Sequence, residues 1–349
     1  MRKLLSLSKN IICSNLTHLS RPYKLTYAVT YRCNSRCKIC NIWKQRKFDE
    51  LTLGEVEKFF TKNNYFNWID ITGGEVFLRP NFVEIIKTII KTQKNLYLLH
   101  LPTNGILTNK IVKDIRSILA LKPNKFIITC SIDGPPKVHD RLRGIRNNWK
   151  QTVQTYKSLK GIHNNRFQVY FGVTLSGYNA HLINETFRSL QNEIPDLSQN
   201  DLHFNIAHHS NHYYGNTSTA LGNTVDIARK INDFNKTKRI QWDGVSLLER
   251  IFQGLIPKYL TTKKTPIPCK ALDSSFFLNP NGEIFPCTMW NFPLGNVRDI
   301  HYDLKTLWKS KIAGQTRHVI DLKKCPNCWT PCEAYQSILG NLSQWHYVQ

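Results

Sequence analysis

The chain has 349 residues, 41% of them hydrophobic, which is enough for one large domain with a sizeable core and a smaller companion. No apolar run of about 18 residues occurs, which argues against a membrane-spanning helix, and ten cysteines without a secretion signal argue against a disulfide framework. The net charge of +24 is spread along the chain. It draws the protein towards nucleic acid, anionic lipid or an acidic substrate without marking a site, and it also reads as plain compositional bias.

Residues 1–22 form a basic extension without acids, carrying short apolar patches at Leu4-Leu5 and Ile11-Ile12, and read as a surface-lying or disordered arm. Leu25 to Thr30 is a strand that runs into a cysteine-rich loop. Thr52-Leu-Gly-Glu55 is a capping box opening a helix in which Val56, Phe59 and Phe60 face a core. Trp68 to Thr72 is a strand ending at Gly73-Gly74-Glu75, and Pro80 to Thr92 a helix with Pro80 in its first turn. The alternation continues with a strand to Leu101, a helix over Asn109–Leu121, a strand over Lys125–Ile132 and a helix near Asn148–Leu159. Gln168–Leu175, Asn179–Leu190 and Asp201–Ile206 complete it. Six strand–helix units predict an α/β fold with a parallel sheet covered by helices over residues 23–215, its function gathered at the carboxyl ends of the strands. A polar helical stretch follows over 216–265. Residues 266–349 then form a compact module with two short strands around Asn281-Gly282 and five cysteines.

Cys33, Cys37 and Cys40 lie in one tight loop directly after the first strand. Three thiolates at this spacing can bind three corners of a cubic iron–sulfur cluster and leave the fourth iron open to a small molecule. Zinc is the alternative, but it wants four ligands and no fourth Cys or His lies nearby. Cys269, Cys287, Cys325, Cys328 and Cys332 form a second group, for which a zinc knuckle is again the alternative; Cys130 reads as a small buried residue within its strand. The loop after the sixth strand carries His208, His209, His212 and Tyr213, candidates for substrate binding or proton transfer, with a mononuclear metal site on His208 and His212 or plain surface histidines as alternatives.

The CxxxCxxC loop, followed in order by strand-end motifs at Thr72-Gly73-Gly74-Glu75, Thr103-Asn104 and Ser131-Ile-Asp133, resembles the radical S-adenosylmethionine (radical SAM) superfamily. Ser131 to Gly144, with its Arg143-Gly144 pair, resembles the members that bear SPASM or twitch extensions, and Cys269 to Cys332 resembles a twitch domain. The resemblance implies a partial (β/α)6 TIM-type barrel with a small C-terminal auxiliary-cluster domain. It implies a SAM-binding 4Fe–4S cluster on Cys33, Cys37 and Cys40, and SAM contacts from Thr72, Gly73, Gly74, Glu75, Thr103, Asn104, Ser131 and Asp133. Arg143 either holds the SAM carboxylate or braces the loop. One auxiliary 4Fe–4S cluster is expected on Cys269, Cys287, Cys325 and Cys328, with Cys332 as a replacement ligand or a spare thiol. The implied activity is reductive cleavage of SAM to a 5′-deoxyadenosyl radical that abstracts hydrogen from a substrate C–H bond, in a reducing, cytoplasmic setting. A flavodoxin or ferredoxin is the expected electron donor, and the substrate a peptide or, by a slight preference, a small biosynthetic metabolite. Only some 24 residues precede the first strand, so a leader-binding module in cis is not expected. The competing class is a non-enzymatic zinc and nucleic-acid binding protein.

Overall fold

The computed structural model describes residues 2–45, 49–222, 227–239 and 241–348; positions 223–226 and 240 of the stretch expected to be helical lie outside them. The expected alternation is present. Strands β1 (Lys24–Thr30), β2 (Trp68–Gly73), β3 (Leu98–Thr103), β4 (Lys125–Ser131), β5 (Phe167–Leu175) and β6 (Leu202–Ile206) pair in parallel, each beside its sequence neighbour. Helices α2 (Leu53–Lys62), α3 (Phe82–Thr92), α4 (Thr108–Ala120), α5 (Pro136–Arg143), α6 (Asn148–Lys160) and α7 (Ile183–Glu193) make the crossovers, after an N-terminal α1 (Arg2–Leu16). Next come α8 (Ile227–Asn235), α9 (Gly244–Thr262), strands β7 (Ser275–Leu278), β8 (Glu283–Phe285) and β9 (Gly295–Asn296), then α10 (Leu304–Trp308), α11 (Lys311–Asp321) and α12 (Pro331–Leu339).

The sheet is open and nine-stranded, in the order β6-β5-β4-β3-β2-β1-β7-β8-β9. β7 runs parallel to β1, while β8 and β9 return antiparallel around Asn281-Gly282. The C-terminal cysteines are thereby carried on an edge of the same sheet that presents the first cysteine loop. Alternation along the strands sorts the two faces. Leu25, Tyr27, Val29, Ile69 and Ile71 pack into one core with Val56, Phe59 and Phe60 of α2. On the opposite, concave face lie Lys24, Asp70 and His100. The fully buried Lys24 ammonium sits 3.0 Å from Asp70 and donates to Gln336 Oε1 at 2.8 Å and to the Cys332 carbonyl, both on α12, so a desolvated ion pair anchors α12 in the concave face.

Two local expectations need correcting. The helix expected from Pro80 begins at Phe82, because Asn81 adopts a left-handed conformation (φ 58°) and turns the chain first. The 1–22 arm is largely the α1 helix. It lies across the amino ends of the strands, where Asn10 bonds Asn67 Oδ1 at 2.5 Å, Asn15 bonds the Leu339 carbonyl at 2.8 Å and Lys270 bonds the Ser14 carbonyl at 2.6 Å. The capping box at Thr52 forms as expected, with the Thr52 amide donating to Glu55 at 2.8 Å.

Candidate active site

The order β4-β3-β2-β1 sets the strand ends Ser131, Thr103, Gly73 and Thr30 side by side, and the cysteine loop springs from the last of them. Its entry is pinned to β2: the Gly74 amide donates to the Thr30 carbonyl and the Glu75 amide to the Arg32 carbonyl, each at 2.8 Å. A Cβ on Gly73 or Gly74 would stand 2.1 or 2.2 Å from those same carbonyl oxygens, so the glycine pair is what lets the two segments touch. The middle of the loop is clamped by the end of α5, where the Arg143 and Leu142 carbonyls accept from the Arg36 and Lys38 amides at 2.9 and 2.7 Å. From β3, Asn104 Nδ2 donates to Asn34 Oδ1 at 2.7 Å and to Ser35 Oγ at 3.0 Å.

The Arg143 guanidinium is 2.7 Å from Asp133 and 3.8 Å from the Cys37 sulfur, which places a positive charge beside a thiol. Asp133 in turn accepts from the Thr174 amide at 2.9 Å. Asp133, Arg143 and the Asn104 amide thus each have a partner within the chain. Glu75 is buried, takes Thr103 Oγ1 at 2.9 Å and the Asn104 amide at 2.7 Å, and burial raises its carboxyl to about 7 against those hydrogen bonds. Thr72 Oγ1 meets the Tyr213 hydroxyl at 2.6 Å. Ser131 closes β4.

Burial also pushes the Cys33 and Cys40 thiols up to about 12, with Arg143 opposing it. Three such thiols, all free and held on one braced loop, fit a polynuclear iron cluster, whose positive charge displaces their protons. In the second group, burial raises Cys328, and the neighbouring Cys287, Cys269, Glu333 and Cys325 raise it further. Burial raises Cys332 as well, with Lys24 opposing it and Asp70 and Glu333 adding to it.

The histidines do not form a metal pair. His208 bonds the Trp329 carbonyl at 3.3 Å and Tyr259 at 3.3 Å, whereas His212 bonds the Cys287 carbonyl at 3.1 Å and stacks on Phe285 at 4.2 Å. Burial lowers both rings to about 4, so they are neutral at pH 7. His209 bonds the Thr219 carbonyl at 2.8 Å on the more open side. The loop they belong to is a bridge. Asn216 donates to the Ile39 carbonyl at 2.8 Å, the Asn41 amide to the Tyr214 carbonyl at 2.8 Å, and Ser210 to the Thr288 carbonyl at 2.7 Å. Tyr31, Tyr213, Phe277 and Phe285 form a small apolar cluster between the two cysteine groups, with Cys33 and Cys40 packed against it.

Comparison with known proteins agrees with this geometry. The radical SAM superfamily profile matches residues 27–190, and that of an iron–sulfur cluster-binding domain, SPASM, matches residues 269–333. The antilisterial bacteriocin subtilosin biosynthesis protein AlbA of Bacillus subtilis is 25% identical over 331 residues, spanning 90% of this chain and 68% of its own. Two solved structures share the fold. They are anSMEcpe with bound AdoMet and Kp18Cys peptide (TM-score 0.62, 16% identity, 94% of this chain and 98% of that one) and Streptococcus suis SuiB bound to precursor peptide SuiA (TM-score 0.59, 15% identity, 90% and 70%). The alternative of a zinc and nucleic-acid binding protein finds no support in any of these. The chain belongs to the radical SAM superfamily, with a C-terminal iron–sulfur domain of the SPASM/twitch kind.

Proposed function

We propose that this radical SAM enzyme oxidises a peptide, with Cys33, Cys37 and Cys40 holding the SAM-binding cluster and Cys269, Cys287, Cys325 and Cys328 an auxiliary one. The observation that carries the reading is the bridge: one loop, His208 to Asn216, is bonded at once to the first cysteine loop, to the end of β2 and to the segment around Cys287. Both cysteine groups then share a wall. Residues 23–215 form the catalytic domain, 216–265 the connection and 266–349 the auxiliary domain.

Bound in the first loop, the cluster supplies the electron that cleaves SAM and releases the 5′-deoxyadenosyl radical. The chain's own residues do the rest. Glu75 offers negative charge to the SAM ammonium, the Gly73-Gly74 backbone lets it approach, and Thr72, Thr103 and Ser131 supply polar contacts at neighbouring strand ends. Asn104, Asp133 and Arg143 hold the loop rigid. Tyr31, Tyr213 and Phe277 line the gap with side chains that exclude water. The net change would be removal of two hydrogens from the substrate: one atom would leave in 5′-deoxyadenosine, while the auxiliary cluster would take up the remaining electron and solvent the proton. Between the two substrate classes left open by sequence, the relatives favour a peptide: AlbA is named for bacteriocin biosynthesis, and the SuiB and anSMEcpe structures hold peptides. The electron donor is a flavodoxin or ferredoxin, acidic carriers suited to a chain of charge +24, and the setting is the cytoplasm.

Anaerobic reconstitution tests the reading. About eight irons per chain are expected from two four-iron clusters, with reductant-dependent formation of 5′-deoxyadenosine and, with a peptide substrate, a mass loss of two hydrogens. Stoichiometric zinc without SAM cleavage overturns the enzyme. SAM cleavage coupled to a small metabolite and to no peptide overturns the substrate class alone.

A further inference from the structure

Helix α1 presents an outer face that the fold does not use. Leu7 and Ser14 are buried beneath it, whereas Leu5, Ile12 and Leu16 point away from the protein at 60%, 56% and 77% exposure. These three fall at helical spacing on a single ridge, which the exposed Arg2 and Lys9 flank. Leu4 is exposed beside them, and Leu342, whose amide bonds Asn15 at 2.7 Å, adds another aliphatic group. Exposed large apolar side chains gathered this closely mark an interaction surface.

The charge around the ridge is predominantly positive. α1 contains no acid. The loops at the same amino ends of the strands expose Arg21, Lys94, Lys122 and Arg166, and Lys3 is held below its ordinary value by burial and by the charge of Arg166. At the far end of the helix His18 meets two acids, the buried Asp273 at 3.4 Å and the exposed Asp321 at 4.0 Å. A convex aliphatic ridge flanked by bases offers no groove for a partner's side chains, but it matches a flat, anionic, deformable surface: the aliphatic groups enter the acyl boundary while Lys and Arg stay among the headgroups. No helix among the described residues is long and apolar enough to cross a membrane, so the mode is surface-lying.

We propose that α1 docks the enzyme on an anionic lipid bilayer through Leu5, Ile12 and Leu16, flanked by Arg2 and Lys9. The amino ends of the strands then face the lipid, and the cysteine loops at the carboxyl ends stay open to substrate and electron donor.

The test is flotation of the full-length reconstituted enzyme with phosphatidylcholine vesicles, either pure or containing about 30% phosphatidylglycerol. Wild type is expected to float with the anionic vesicles only. Combined Leu5→Ser, Ile12→Ser and Leu16→Ser leaves the net charge unchanged and is expected to lower partitioning roughly tenfold or more, with SAM cleavage unchanged as evidence of an intact fold. Arg2→Gln with Lys9→Gln, removing only two of the positive charges, is expected to weaken binding and its salt dependence. Failure of wild type to float overturns the proposal. So does equal flotation of the serine variant, which makes the binding general adsorption of a basic protein. A serine-dependent change in oligomeric state without vesicles also overturns it, in favour of a protein contact.

Discussion

The two cysteine groups are built in opposite ways. Cys33, Cys37 and Cys40 lie within eight consecutive residues, and the rest of the domain is spent bracing that one loop: Gly74 and Glu75 from β2, Asn104 from β3, and the Arg143 end of α5. Cys269, Cys287, Cys325 and Cys328 come from segments separated by a hairpin and two helices, and only the pairing of β7 with β1 brings them to the same edge. The first site is local in sequence and stiffened by many strand ends. The second is non-local and depends on closure of the sheet. A defect in the first should therefore stop chemistry at its origin, while a defect in the second should uncouple it.

The largest expected effect is at the origin. Cys37→Ala should abolish 5′-deoxyadenosine formation and remove about four irons, with the auxiliary cluster's irons retained; residual SAM cleavage at wild-type rate would dissolve the distinction. Cys328→Ala should lose a similar share of iron and all substrate oxidation yet still cleave SAM under reductant. If Cys328→Ala were equally inert towards SAM, the two sites would not be separable. Cys332 makes the matching control: with the auxiliary cluster on the proposed four ligands, Cys332→Ala should keep its full iron content.

Bracing comes next. Arg143→Gln leaves the Asp133 carboxylate buried without its cation and should cost about 3–5 kcal/mol of stability, with poorer iron incorporation in the first loop. Unfolding by urea and iron counts on the same preparation check this. Full restoration of both by the Asp133→Asn, Arg143→Gln pair would show that charge pairing alone mattered, whereas recovery of stability without iron assigns the guanidinium a part in presenting Cys37.

The smallest effect is a pH slope. Glu75 binds its proton up to about pH 7 in the folded chain, against an ordinary value of 4.5. Between these values the native state holds more protons than the unfolded one, so its stability falls as pH rises through the window, by at most roughly 1.4 kcal/mol per unit. Glu75→Gln should flatten that slope. Denaturation at pH 5, 6 and 7 for both proteins gives the difference directly, and parallel slopes would refute the burial argument.

Much of the fold was legible because it is written in local pattern: the period-two strands with their strand-end glycines, the Thr52–Glu55 box and the alternation of β and α each need only a few neighbouring residues. Helix α5 went unread because Pro135-Pro136 signals a loop as readily as a helix start. The 208–216 segment looked like a polar loop with titrating histidines, but the fold buries His208 and His212, ties each ring to a carbonyl and turns the segment into a bridge. The pairing of Arg143 with Asp133 likewise joins residues whose contact no local pattern announces.

By itself, then, the order of residues determined the CxxxCxxC loop, the parallel α/β sheet behind it and the polar strand ends that gather there, because each of these rests on contacts short in sequence. Tertiary structure alone decided that Arg143 pairs with Asp133, that the 208–216 loop ties the first cysteine loop to the segment around Cys287, and that β7 closes on β1. Those outcomes depend on burial and on pairs far apart in the chain, whose energies exist only once the sheet has formed and water has left the space between them.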